Sequence, residues 1–354
     1  MPRVLFFADQ TIDEPRTPGA AHPGGAELTD AAAVGACPWP VELARTEEVN
    51  PRHLREFDVH VVGNFDGRDV ELTRELCRLG RHVLFEHDLR ICFWRGNFPA
   101  SPEYAHHYGH RCICTHRHLR GLYGRALGTI FLTHHQLDNY RRNPFFRARR
   151  PLVLGTSLMD REFFERVERL RRAPRRRDIS RAVVYSTSDF KGFDPARGYC
   201  REQGREPFVI RDLKPQEVLD VLERTQRFVY LPRGREAAGR MVLEARFLGC
   251  EVVANENVSV CGESWWNLED EQALEVVRDG PNRFWRLVER LFRDSAGERR
   301  KMRSRRLWRG VDPVVNLGLA VAQRVGVVGP LARWATKGHR RAAFRPHLVA
   351  PVTS

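Results

Sequence analysis

Two glutamates, Glu236 and Glu244, stand eight positions apart in LPRGREAAGRMVLEARFLGCEVVANENV, residues 231–258. The apolar run RFVYL precedes them and EVVAN follows. The first glutamate therefore falls on a loop after an expected strand, and the second on the helix behind it. Open parallel sheets bind ligands where strands deliver their C-terminal ends to loops. The helix is expected to begin near Ala238 or Gly239, where free backbone N–H groups favour an anion such as a diphosphate. Glu244, a turn and a half inside, can reach sideways to a ligand lying across the helix start. Each carboxylate alone has a plainer explanation. The helix dipole favours glutamate near an N-terminus, and Glu244 can pair with Arg240 four residues earlier. What sharpens the pair is its setting: strand, loop, Glu, small-small-Gly, helix, Glu, Gly stop, strand.

A second stretch is rich in metal-ligating side chains. EHDLRICFWRGNFPASPEYAHHYGHRCICTHRHLR, residues 86–120, holds three cysteines and six histidines counting His87 and His118. Thiolate and imidazole at this density suit zinc, and a structural site would use Cys92, Cys112, Cys114 and His116. The spacing offers only a C-x-C and no pair of C-x-x-C, so the competing reading is a set of structural or acceptor-contacting histidines.

Placing these residues requires alternating elements. RVLFFAD, PVELA, FDVHVVGN, HVLFEHD, GTIFLT and PLVLG read as strands. GGAELTDAAAV, GRDVELTRELCRLG, HHQLDNYRR and MDREFFERVERLRR read as helices among them. Such alternation predicts a parallel sheet with helices on both faces. APRRRDIS, residues 173–180, reads as a linker. The alternation then restarts with RAVVYS, PFVI, RFVYL and CEVVAN as strands and KPQEVLDVLERT and GRMVLEARFL as helices. Helices alone are expected after residue 260. The expected division is 1–174, 175–310 and a basic helical or partly disordered tail, 311–354.

The pattern around Glu236 resembles the retaining glycosyltransferases of family 4 and their GT-B relatives, whose hallmark is two glutamates separated by seven residues. The resemblance implies an α/β fold of two doubly wound, Rossmann-like domains facing a cleft, plus the C-terminal tail. It implies that Glu236 contacts donor-sugar hydroxyls and that Glu244 holds the ribose. Ala237, Ala238 and Gly239 would let backbone amides approach the sugar and phosphate. Three further stretches extend it. PGGAELTD sets Gly24 and Gly25 near the donor phosphates. VLFEHDLR turns His87 towards the reacting sugar. VVYSTSDFKGFD supplies the Lys191–Gly192 of the family's diphosphate site. The arginine expected near Ser186 is missing. Charge neutralisation would fall to Lys191, to Ser186, Thr187 and Ser188, or to Arg233 or Arg235. The resemblance thus implies a retaining hexosyltransferase with a nucleotide-diphosphate sugar as donor. Glu236, His87 and Lys191 would be its catalytic residues, and no cofactor would be required for catalysis.

Bulk properties fit a two-domain enzyme. The chain has 354 residues, 42% of them hydrophobic, enough for more than one core. Its net charge of +14 is nearly all arginine, which favours anionic partners. The N-terminus reads as a first strand rather than an export signal, and no run of about 18 apolar residues occurs. A cytoplasmic protein is expected, held peripherally on the inner face of the membrane by its basic tail, acting on a glycan or lipid-linked acceptor of the cell envelope. An inactive transferase-like binding partner is the main alternative. A nucleic-acid-binding protein is the lesser one, since no recognition helix or aromatic platform is visible, and nucleic acid is not expected as a partner.

Overall fold

Ten short apolar runs become ten parallel strands in the computed structural model, which describes residues 1–12, 22–92, 117–173, 176–295 and 297. The first sheet holds β1 (Val4–Ala8), β2 (Val41–Arg45), β3 (Val59–Val62), β4 (His82–Glu86), β5 (Gly128–Phe131) and β6 (Pro151–Val153), in the order β2-β1-β3-β4-β5-β6. The second holds β7 (Ile179–Val184), β8 (Phe208–Ile210), β9 (Thr225–Tyr230) and β10 (Glu251–Ala254), in the order β10-β9-β7-β8. In both, the chain first steps to one side and then crosses to the other. The order reverses between β1 and β3 and again between β7 and β9, and at such points loops diverge and leave a crevice. Every residue of β1, β3, β4 and β5 is buried, which is why these strands read as unbroken apolar runs instead of alternating ones.

The helices that matter for the site are α1 (Gly25–Gly35), α2 (Val70–Leu79), α3 (Arg117–Arg125), α4 (His134–Arg141), α5 (Arg161–Arg172), α6 (Phe193–Glu202), α7 (Pro215–Arg224), α8 (Arg240–Phe247) and α9 (Asp270–Arg278). Residues 280–293 are helical too, here α10. Local chemistry fixes several ends. Asp69 caps α2 by accepting from the Leu72 N–H at 2.9 Å, and Asp160 caps α5 by accepting from Phe163 at 2.8 Å. Two helices, α3 and α6, were not expected from the sequence.

Residues 1–293 form one compact unit that contains both sheets. Within it, the chain finishes the second sheet and then returns to the first. Phe284, Trp285, Val288 and Leu291 of α10 are buried in one core with Val4, Phe6, Val61, Val83 and Phe85. Trp285 Nε1 donates to the Ala33 carbonyl of α1 at 2.7 Å. The expected tail, 311–354, lies outside the described residues, as do Cys112, Cys114 and His116 of the zinc expectation. Cys92 is buried, and no group of three His, Cys, Asp or Glu that could hold a metal occurs among the described residues. Among them no helix is long and apolar enough to cross a membrane.

Candidate active site

Loops at the reversal point of the second sheet carry the chemistry. After β7 a single turn, Asp189–Lys191, ends at Gly192, whose φ is +70°. After β9 the chain runs through Pro232 to Glu236 and reaches α8 through Gly239, with φ +73°. These two loops meet. Lys191 Nζ donates to Glu236 Oε1 at 2.5 Å, and the Tyr230 hydroxyl donates to the same oxygen at 2.7 Å. Burial and the Glu236 charge hold the Tyr230 phenol well above its ordinary pKa, so it stays a donor.

The Glu236 loop is held from a third side. The Glu236 N–H donates to the Asn257 carbonyl at 2.8 Å, and Ser259 Oγ donates to the Glu236 carbonyl. Asn255 and Asn257 both donate through Nδ2 to the Pro232 carbonyl, at 2.8 and 2.9 Å. The segment after β10 therefore works as a clamp on the glutamate's backbone. From the first sheet, Thr133 Oγ1 donates to the Ala237 carbonyl at 2.6 Å.

In front of these residues opens a cavity of about 1000 Å³. Gly24 and Gly25 line it from the first-sheet side, and Ser186, Lys191, Tyr230, Glu236, Gly239 and Glu244 from the second. Its far end is made by Tyr185, Ile210, Arg211, Asp212, Leu213 and Val218. There the Arg211 guanidinium stacks on the Tyr185 ring, 4.1 Å from its centroid. Glu244 is buried and accepts from Arg240 Nε at 2.8 Å, so the pairing open to it from the sequence is present and lies inside the cavity wall rather than on a solvated face.

Several expected site residues stand elsewhere. His87 was expected to face the cleft. Its side chain is 3% exposed and its Nε2 lies 2.6 Å from Asp30 Oδ1 on α1, outside the cavity lining. Gly63 makes room for that pair, since a Cβ there would stand 2.6 Å from Asp30 Oδ2. The segment that carries His87 is pinned by a buried network. Glu86 accepts from the Tyr123 hydroxyl at 2.7 Å and from the Tyr140 hydroxyl, and the Arg90 guanidinium lies 3.6 Å from it. Arg90 also donates to the Phe85 carbonyl at 3.0 Å and to that of Gly63. Buried hydrogen bonds from Tyr123, Tyr140 and Arg90 to Glu86, Phe85 and Gly63 fix the backbone between β4 and the following segment.

Arg235 donates to Asn139 on α4 at 3.1 Å and does not line the cavity, and Arg233 pairs with Asp189. Thr187 is exposed, and neither it nor Ser188 is in the lining. Ala238 is buried and packs into the first-sheet core with Ala237 beside it, so these small residues serve packing between the sheets. Conversely, Tyr230, Arg240, Tyr185 and Arg211 were not singled out as site residues. Three of them end a parallel strand or follow one directly, which was the available signal.

No family model matches the chain, and no curated protein matches it. Among solved structures, Anabaena HepE in complex with UDP-glucose aligns with a TM-score of 0.49 at 15% identity, over 84% of this chain and 100% of that one. An alpha-glucosyltransferase in complex with UDP-glucose and DNA containing an abasic site aligns with a TM-score of 0.42 at 12% identity, over 82% and 93%. Sucrose-phosphate synthase from Thermosynechococcus elongatus aligns with a TM-score of 0.44 at 11% identity, over 85% and 99%.

Proposed function

We propose that this protein is a glycosyltransferase that moves a sugar from a nucleoside diphosphate donor to a glycan or lipid-linked acceptor. The observation that carries this reading is the meeting of Lys191, Tyr230 and Glu236 at the reversal point of the second sheet, on the wall of a cavity that Glu244 also lines. A cavity of about 1000 Å³ has room for a nucleotide sugar. Its residues fall into the order such a ligand needs. The flat Arg211–Tyr185 stack and the Ile210 and Leu213 side chains suit a base. Glu244 suits the ribose hydroxyls. The start of α8 and Lys191 suit the diphosphate, and Glu236 suits the sugar hydroxyls.

The chemistry follows from charge. As the bond between the anomeric carbon and the phosphate oxygen breaks, negative charge grows on the leaving diphosphate. Lys191 and the first N–H groups of α8, which have no partners within their own helix, are fixed there beforehand and stabilise that charge. The acceptor hydroxyl approaches from the Gly24–Gly25 side, on the same face as the departing phosphate, which retains the anomeric configuration. The departing phosphate takes the hydroxyl proton. We assign His87 no contact with the sugar. It anchors α1 near its middle through Asp30.

The test is a thermal-shift panel of UDP, GDP and ADP and their common sugar conjugates on wild type and Glu244→Ala. A ligand that binds only the folded state at 100 times its Kd adds about 2.7 kcal/mol of stability. One nucleotide is expected to raise the wild-type Tm and to lose most of that effect in the variant. No shift at millimolar concentration with any of them overturns the proposal. The missing arginine near Ser186 favours a second reading, an inactive partner of another transferase. Nucleotide binding with no donor turnover, including slow hydrolysis without acceptor, selects it.

A further inference from the structure

The cavity must hold a diphosphate, yet Ser186 stands where the resemblance puts an arginine. Four cations line the cavity among the described residues: Arg166, Lys191, Arg211 and Arg240. Arg166 is engaged by Asp220, Glu223 and Gln216, all on α7, and Arg211 pairs with Asp212 at the far end. Lys191 and Arg240 remain at the glycine end. Each faces one of the two glutamates, so without ligand this end is locally neutral. A diphosphate adds about two negative charges there.

Arg240 is placed for that load. It is the first residue of α8, where backbone N–H groups already favour an anion. Its side chain is 8% exposed and lines the cavity. Nε donates to Glu244 at 2.8 Å, and Nη1 donates to the Leu158 carbonyl behind the lining. Its Cβ and Cδ lie 3.6 and 3.9 Å from where a Cβ on Gly25 would stand, so the stem passes directly beneath the glycine pair. Two of its nitrogens are thus fixed, which sets the plane of the guanidinium, and the residue lines the cavity beside Glu244 and Gly25.

Resting on the nucleotide-sugar reading above, we propose that Arg240 is the second phosphate-binding cation of this site. It takes over the task of the arginine that Ser186 replaces. A planar guanidinium can keep the bond to Glu244 while presenting another N–H edge to a phosphate oxygen in a fixed fork, a geometry that a lysine ammonium does not reproduce.

The test compares nucleoside with nucleoside diphosphate. Affinities of UDP, GDP and ADP and of uridine, guanosine and adenosine are measured by calorimetry on wild type, Arg240→Gln, Arg240→Lys and the double variant S186R/R240Q. Arg240→Gln is expected to weaken the bound diphosphate about 10- to 100-fold while changing its nucleoside by less than about threefold. S186R/R240Q is expected to recover at least half of that loss on a logarithmic scale. Equal losses for nucleoside and diphosphate, or no recovery, mean that Arg240 only shapes the wall, and overturn the assignment. Should Arg240→Gln not fold, Arg240→Lys keeps the charge in the same slot. It is expected to weaken the diphosphate alone several-fold, and an unchanged diphosphate affinity overturns the assignment. If wild type binds a nucleoside diphosphate and Arg240→Gln binds it equally, this inference falls and the function stands. If wild type binds none, both fall.

Discussion

Glu236 Oε1 accepts from Lys191 and Tyr230 together, so one carboxylate oxygen carries both bonds. Removing a donor and neutralising the acceptor have different consequences. Tyr230→Phe removes one hydrogen bond and keeps the ring packing, so stability is expected to fall by about 1 kcal/mol and turnover by no more than about tenfold. Glu236→Gln keeps the shape but gives up the charge that holds Lys191. Turnover is expected to fall about 100-fold with a Tm change of a few degrees, read by donor hydrolysis and by melting. A second residue-scale prediction concerns two histidines of the first sheet. His60 and His82 are fully buried on β3 and β4, and burial, the largest cause for each, lowers them from 6.5 to about 4. Above pH 6.5 both are neutral folded and unfolded, and they add no pH dependence. Between 6.5 and about 4 only the unfolded chain takes up the protons, so stability falls as the pH is lowered through that window. At pH 5 each site costs about 2 kcal/mol relative to pH 7. The Tm is expected to drop steeply between pH 6.5 and 4.5, and His82→Gln is expected to flatten that drop even though its own Tm at pH 7 is lower.

At the scale of elements, the loops that bring Lys191 to Glu236 depend on glycines in left-handed conformations. A Cβ on Gly192 would stand 1.9 Å from the Leu231 carbonyl oxygen, at φ +70°. Gly192→Ala therefore forces the β7 loop and the β9 loop apart, not merely into strain. It is expected to cost about 2 kcal/mol or more of stability in denaturant titration and to abolish detectable nucleotide binding. These loops also show where sequence reasoning succeeds. The ten strands were legible because buried parallel strands are continuous apolar runs, and the two glutamates because a strand, a turn and a helix frame them. The helix α6 was not, since FDPARGYCRE carries Pro195 and Gly198. Its helicity is supplied by packing, with Ala196 and Cys200 buried against Val183 and Val229. Side-chain direction was illegible for the same kind of reason. Nothing local says that His87 turns to Asp30, that Arg235 turns to Asn139, or that Arg240 turns inward under Gly25. Each is decided by a contact more than 50 residues away in the chain.

Across the whole of residues 1–293, the two sheets are joined by buried contacts and not by a linker alone. Trp265 Nε1 donates to the Gly155 carbonyl at 2.8 Å, and His134 binds the buried Glu263 through both its backbone N–H and its ring. Trp285 packs edge-on against Trp39 and Phe284 and reaches α1 through its indole. Trp285→Ala is expected to cost about 3–5 kcal/mol. It is also expected to remove nucleotide protection, because α1 presents Gly25 to the cavity. Equilibrium denaturation with and without nucleotide checks both.

The return of α10 to the first sheet has a consequence for how the protein is made. Phe284, Trp285, Val288 and Leu291 complete a core whose other buried members, Ala238 apart, are encoded before residue 159. During synthesis the first sheet is therefore finished long before its apolar cover leaves the ribosome. At about 5–20 residues per second the wait lasts roughly ten seconds or more. Through that interval the nascent first half lacks the apolar cover that α10 supplies, while the second sheet, whose core lies between residues 159 and 277, can close first.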